Sequence, residues 1–191
     1  MNKLLLVLTG PSGVGKTTLC TQFLKTYPHA KRVVTSTTRP PRYTERYGED
    51  YWFETDESFH QKLEANEFLE HAQVYQYHYG VSRKAITGYN DRDLIICLDV
   101  QGAQTFRTTY HEENLGHRLV IVFVTPPTLE ELEKRIKHRG TDNERTIQTR
   151  LEIAKKEQSA ASSFDYCLYS GTQDQDFLNL QHIYEAEKMR S

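Results

Sequence analysis

Residues Gly10 to Thr18 read GPSGVGKTT. They place Gly10, Gly15, Lys16 and Thr17 at the four fixed positions of G-x-x-x-x-G-K-[ST], a phosphate-binding loop. Glycines let consecutive backbone N–H groups curl around a polyphosphate, and the helix that follows turns its positive end toward the same anion. Pro11, Ser12, Gly13, Val14 and Thr18 complete the cradle. The predicted roles are an ammonium from Lys16 on the β- and γ-phosphates of a nucleotide and the Thr17 hydroxyl on a Mg²⁺ that bridges them.

A second set of candidates lies in the polar string TSTTRPPRYTERYGEDYWF, Thr35 to Phe53. Arg39 and Arg42 are three apart, stiffened by Pro40 and Pro41, with Tyr43, Tyr47 and Tyr51 close by. Planar guanidinium groups and phenol hydroxyls are donors suited to a phosphate monoester. A solvated loop with ordinary surface arginines would look the same. Asp99 ends a short apolar run, where a carboxylate of an open α/β sheet faces the ligand edge; capping a helix before Gly102 is the alternative. Lys134, Arg135, Lys137, Arg139, Arg145 and Arg150 could bring positive charge over a nucleotide, or could be solvated helix faces paired with Glu130, Glu131 and Glu133.

The elements that must position these groups follow from periodicity. Leu4-Leu5-Leu6-Val7-Leu8 reads as a buried strand, and Leu19, Cys20, Phe23 and Leu24 recur at helical spacing until Tyr27-Pro28. Further strands are predicted at 94–98, 119–124 and 166–169. Asp56 is the expected cap of a helix burying Phe59 and Leu63, and Ser82 that of a helix through Ile86. Tyr75, Tyr77 and Tyr79 alternate as on one face of a strand. Thr128 with Glu131 reads as a capping box for a helix ending near Gly140, and Thr141 with Glu144 repeats it. An amphipathic helix is predicted over 174–188. Strands and helices in this order suit an open α/β sheet.

Composition narrows the function classes. With 191 residues, 37% hydrophobic and 26% charged, the chain can bury one core. A net charge of −2 argues against a dedicated nucleic-acid binder. Cys20, Cys97 and Cys167 fit neither a disulfide framework nor a CxxC metal site, which suits a reducing cytoplasm. The eight histidines are dispersed without ligand spacing. The opening MNKLLLVLTG runs straight into the phosphate loop, so it does not read as a signal peptide, and no run is long enough for a membrane span.

Several segments in one order, GPSGVGKTT (10–18), TTRPPRYTERYGEDYWF (37–53), FLEHAQV (68–74), YGVSRKAI (79–86), LDVQGA (98–103), LEKRIKHRGTD after Pro126-Pro127, and RLEIAKKE (150–157), resemble the guanylate kinase family over almost the whole chain. The resemblance implies a P-loop kinase with a five-stranded parallel sheet flanked by helices (1–34, 82–124 and 151–191). An inserted GMP-binding lobe (35–81) and a helical lid (125–150) complete the single domain. It implies γ-phosphoryl transfer from ATP to GMP, and to deoxy-GMP, with Mg²⁺ and no nucleic-acid or membrane partner. Arg39, Arg42, Tyr51 and Tyr79 resemble the residues that hold the GMP phosphate, and Thr35 and Glu45 belong to the same lobe motif. Glu70 and Asp99 resemble those facing guanine, and Arg135, Arg139 and Arg150 the lid arginines. The chemistry agrees, because an acceptor-only carboxylate matches the adjacent N–H donors of guanine and mismatches adenine.

Four departures stand out. Val81 replaces a hydroxyl residue after the Tyr-Gly pair, with Ser82 beside it; Thr35 replaces Ser; Cys97 replaces the first of two acidic residues at the strand end; and Ser170-Gly171 replaces an Asn-Asp pair on the adenine side. A kinase of another small phosphate monoester and a non-catalytic interaction module are the alternatives. The intact Lys16-Thr17 pair speaks against the second.

Overall fold

A computed structural model of the chain describes residues 3–74, 76–113, 115–138 and 144–190. β1 (Leu4–Thr9) is buried along its whole length, as an all-apolar run flanked on both sides by parallel strands must be. The phosphate loop leads into α1 (Lys16–Thr26), which ends at Tyr27. β2 (Lys31–Arg32) is short. The chain then leaves the main sheet for β3 (Thr35–Thr37), β4 (Tyr51–Phe53), α2 (Asp56–Glu64), β5 (Phe68–Val74) and β6 (Tyr77–Ser82). It returns through α3 (Arg83–Thr87), β7 (Leu94–Cys97), α4 (Val100–Glu113) and β8 (Arg118–Thr125). α5 (Leu129–His138), α6 (Glu144–Gln158), β9 (Tyr166–Tyr169) and α7 (Gln173–Met189) complete it.

Two sheets result. The main one is parallel, in the order β2-β7-β1-β8-β9, and the smaller is mixed, in the order β4-β3-β6-β5. The main sheet carries an apolar cluster on each face. One centres on Leu6, Leu8, Phe23 and Val122 and the other on Val7, Ile96, Phe106 and Ile121. Alternate residues of one strand thus feed opposite cores. Because β1 lies between β7 and β8, the chain departs in opposite directions from neighbouring strands. The carboxyl ends of β1 and β7 therefore open a crevice.

Three local expectations are corrected. Thr55, not Asp56, caps α2, its hydroxyl accepting the Ser58 N–H at 3.1 Å, while Asp56 sits in the first turn where its charge favours the helix dipole. Tyr77 and Tyr79 belong to β6, but Val74 pairs with Tyr77 across a turn, so the tyrosine alternation runs through a hairpin rather than along one strand; Tyr75 lies outside the described residues. The Thr128 box is half formed: its hydroxyl accepts the Glu131 N–H at 3.2 Å, whereas Glu131 turns to the Nε of Arg135 at 3.3 Å. Arg139 and Thr141 lie outside the described residues. No helix among the described residues is long and apolar enough to cross a membrane.

Candidate active site

The crevice is a cleft of about 470 Å³ lined by the phosphate loop, the small sheet, the end of β7 and α6. Gly10, Ser12, Gly13, Gly15, Lys16, Thr17 and Thr18 form one wall. The loop could not be built from other residues. Gly10 has φ +126°, and a Cβ there would stand 2.0 Å from the Val124 carbonyl oxygen; Gly15, at φ +102°, is the N-cap of α1. The Lys16 ammonium donates to the Pro11 carbonyl at 3.0 Å and to that of Gly10, so it is held over the loop's own hollow. Val14 faces away, into a second cavity of about 670 Å³ on the other side of the loop.

Opposite the loop stands the small sheet. Arg39 lines the cleft, its Nη2 bonded to both oxygens of Glu45 at 2.9 Å and its guanidinium 5.4 Å from the Tyr51 ring centroid and 5.9 Å from that of Phe53. Burial alone would loosen the guanidinium's proton, but hydrogen bonds with Glu45 and Tyr79 outweigh it and raise the pKa. Glu45 also accepts the backbone N–H of Arg42 at 2.8 Å. One carboxylate therefore ties both arginines of the RPPR segment together, while Thr35, Arg42, Tyr51 and Tyr79 reach the cleft beside them.

The far end is acidic. A register shift between Phe68 and Glu70 breaks the alternation of β5, so that Leu69 enters the core and Glu70, only 4% exposed, turns into the cleft. Its Oε1 has no hydrogen-bond partner. Burial first, and then the negative charge of Asp99, push the Glu70 carboxyl up to about 8. Asp99 has two jobs. Its Oδ1 accepts the Gly102 N–H at 2.9 Å, opening α4, and it lines the cleft. The helix-capping reading and the ligand-edge reading are therefore compatible. Gly102 allows the approach: a Cβ there would lie 3.0 Å from Glu70 Oε1 and 3.3 Å from Asp99 Oδ2.

Among the arginines of 125–150, the structure separates what the sequence grouped. Arg150 lines the cleft and donates to the Ser12 hydroxyl at 3.3 Å. Arg135 instead lies at the second cavity, donating to Ser170 Oγ at 2.7 Å and to the Gly171 carbonyl at 3.1 Å. Ser170 in turn donates to the buried Asp176 at 2.7 Å, and the Gly171 N–H reaches the same carboxylate at 2.6 Å. The Ser-Gly departure is thus built into a corner that anchors Arg135. At the other departure, Val81 is fully buried, and Ser82 offers no substitute hydroxyl to the cleft because it accepts the Ala85 N–H at 3.2 Å as the cap of α3.

Glu157, Gln73, Gln101 and Ile153 also line the cleft, and sequence reading gave them no role. Glu157 is the most consequential. Burial lifts its carboxyl to about 7, with Lys16 drawing it down and Asp99 pushing it up. Its seven-residue spacing from Arg150 puts both on one face of α6, a signal present in the sequence.

Among the described residues no group of three His, Cys, Asp or Glu could hold a metal ion. Thr17 is exposed at the cleft wall. A single hydroxyl next to a polyphosphate cradle suits a hard cation carried largely by the phosphates and water, as Mg²⁺ usually is. The cleft can therefore take an anion between Lys16, Arg39, Arg42 and Arg150, and a planar base with N–H donors at Glu70.

The family model described as guanylate kinase matches residues 2–187. A guanylate kinase of Clostridium tetani is 36% identical over 189 residues, 98% of this chain and 88% of that protein. One of Synechococcus sp. is 39% identical over 181 residues, covering 94% and 81%. The crystal structure of guanylate kinase from Anaplasma phagocytophilum superposes with a TM-score of 0.81 at 29% identity, covering all of this chain and 88% of that one.

Proposed function

The chain belongs to the guanylate kinase family and is an ATP:GMP phosphotransferase, and from that premise we propose how the residues of its cleft divide the work. The phosphate loop, Gly10 to Thr18, holds the ATP phosphates, with Lys16 on the transferring group. The ATP base occupies the cavity between the loop and the Ser170 corner. Arg39, Arg42, Tyr51 and Tyr79 hold the GMP phosphate, and Thr35 lies beside them. Glu45 acts through the arginines, because a carboxylate does not bind a phosphate. Glu70 and Asp99 read guanine.

The observation that carries this assignment is the buried, unpartnered Oε1 of Glu70 at the end of a cleft whose other end is cationic. A guanine N1–H and N2–H satisfy that acceptor. Adenine would present a lone pair at N1 and leave it unmet, and a site built on such pairing can discriminate by on the order of 10⁴.

Phosphoryl transfer asks the protein mainly for alignment and charge. The GMP phosphate oxygen attacks the γ-phosphorus in line, and the ADP β-oxygen departs. Lys16, Arg39 and Arg150 stabilise the charge on the migrating group from three sides. Thr17 would hold a Mg²⁺ ion, which would supply further charge neutralisation. Residues 125–150, with the lid arginines Arg135, Arg139 and Arg150, act as a lid whose closure excludes water that would otherwise hydrolyse ATP. Deoxy-GMP serves as a second acceptor, since none of the named contacts uses the 2′-hydroxyl. A cytoplasmic location fits the three free thiols.

Arg39→Ala tests the phosphate assignment. Removing a transition-state cation is expected to lower kcat for GMP by about 10²-fold or more, with ATP binding unchanged by fluorescence titration. Near-normal kcat in that variant would refute the role of Arg39.

A further inference from the structure

Arg32 ends β2, the edge strand of the main sheet, where it pairs with Ile95 of β7, and just beyond it the Val33 N–H donates to the Ile95 carbonyl at 2.9 Å. Its backbone is therefore fixed to the core. Its guanidinium reaches across to the small lobe, where Nη1 donates to Asp50 Oδ1 at 3.4 Å and Nη2 to the Asp50 carbonyl oxygen at 3.2 Å. The two side chains are 21% and 28% exposed, so water and salt screen the pair less than they would a surface ion pair. Arg32 itself does not line the cleft.

Asp50 passes that restraint on. Its Oδ2 accepts the Arg46 N–H at 2.9 Å and its own N–H donates to the Arg46 carbonyl at 3.0 Å, closing a turn through Gly48 at φ +77°. The turn starts next to Glu45, the strut of Arg39 and Arg42, and runs into Tyr51, the first residue of β4. β4 is the edge strand of the small sheet, paired to β3 at Tyr51, Trp52 and Phe53, and its Tyr51 and Phe53 rings lie 5.4 and 5.9 Å from the Arg39 guanidinium. The carboxylate and the rings that hold Arg39 thus flank a turn that Arg32 ties to the core.

We infer that Arg32 is a positioning residue for the GMP phosphate: through Asp50 it latches the edge of the small lobe to the main sheet and so holds Arg39 and Tyr51 in place for the acceptor. Without the latch the lobe must be ordered when GMP binds, and that cost appears in GMP affinity. ATP, held on the opposite wall, does not meet it. A lysine in place of Arg32 keeps the charge but lacks the planar fork that reaches both Asp50 acceptors at once. The inference rests on the assignment of Arg39 to the GMP phosphate.

Steady-state kinetics with GMP varied, and fluorescence titrations with ATP, test it on the whole chain. Arg32→Ala should raise KM for GMP about tenfold, with kcat at saturating GMP and ATP affinity within about twofold of the parent. Arg32→Lys should lie between the two. Asp50→Asn should raise KM for GMP severalfold in the parent background but less than about twofold in Arg32→Ala, because both changes break one interaction. A KM for GMP in Arg32→Ala within about twofold of the parent would overturn the proposal, as would equal effects of Asp50→Asn in the two backgrounds. So would a loss of ATP affinity matching that for GMP, the mark of a merely structural role. Arg39→Ala, run alongside, separates the two readings: a fall in its kcat beside a parental Arg32→Ala overturns the latch alone, and near-normal kcat in Arg39→Ala overturns both.

Discussion

GMP binding should release a proton, and Glu70 is the source. Its carboxyl titrates at about 8. It is therefore only ~10% ionised at pH 7, and a guanine that needs an acceptor-only carboxylate displaces ~0.9 proton on binding. Apparent GMP affinity should rise about fivefold from pH 7 to pH 8 and approach ~tenfold by pH 9, as the ionised fraction climbs. Titration calorimetry at pH 7 in buffers of different ionisation enthalpy reads the released proton directly. Glu70→Gln should abolish the release and most of the affinity. It should also alter stability with a definite sign. The folded pKa lies above the ordinary 4.5, so the folded chain keeps a proton that the unfolded chain gives up. That stabilisation is complete below pH ~4.5 and is lost as pH rises through ~8, up to about 3 to 5 kcal/mol in all. The glutamine variant should accordingly match the parent in acid and be the more stable of the two above pH 8. A proton release near zero at pH 7 would refute the reasoning, because it would mean that the carboxyl is already ionised in the free protein or binds guanine in its neutral form.

Other consequences are as specific. Glu45→Gln removes the charged strut of Arg39 and should raise KM for GMP by about 10- to 100-fold while leaving KM for ATP alone, in steady-state kinetics. Gly102→Ala inserts a methyl 3.0 Å from Glu70 Oε1 and should likewise weaken GMP and spare ATP in paired binding titrations. Asp93, 2% exposed, accepts from the Leu4 N–H, the Tyr184 hydroxyl and Lys188. Asp93→Asn should cost about 3 to 5 kcal/mol in denaturant unfolding. Although burial opposes it, those hydrogen bonds hold the Asp93 carboxyl below its ordinary 3.8, so its stabilisation is present above pH ~3.8 and is lost as pH falls through the folded value below that.

The phosphate loop and the main strands were legible because each is a local pattern: four fixed loop positions, and apolar runs whose length matches a buried strand. The pairing of Arg39 with Arg42 was legible as a segment, but its meaning was not, since spacing alone cannot distinguish a solvated loop from two guanidiniums tied by Glu45. Glu70 could be named only by resemblance; what turns it inward is a register shift in β5 and a glycine thirty-two residues later on α4, both tertiary facts. Arg135 and Arg150 read alike in the sequence and lie at different cavities, because side-chain direction on a helix depends on what packs beneath it.

The most direct test of the division of the cleft is a coupled assay of ADP release with ATP and Mg²⁺, offering GMP, AMP, CMP, UMP or no acceptor, for the parent chain and for Glu70→Gln. The account predicts rapid GMP-dependent release by the parent and little with the other acceptors. In Glu70→Gln the GMP preference should collapse while ATP binding is retained. Equal turnover with AMP in the parent, or an unchanged GMP preference in the variant, would contradict it.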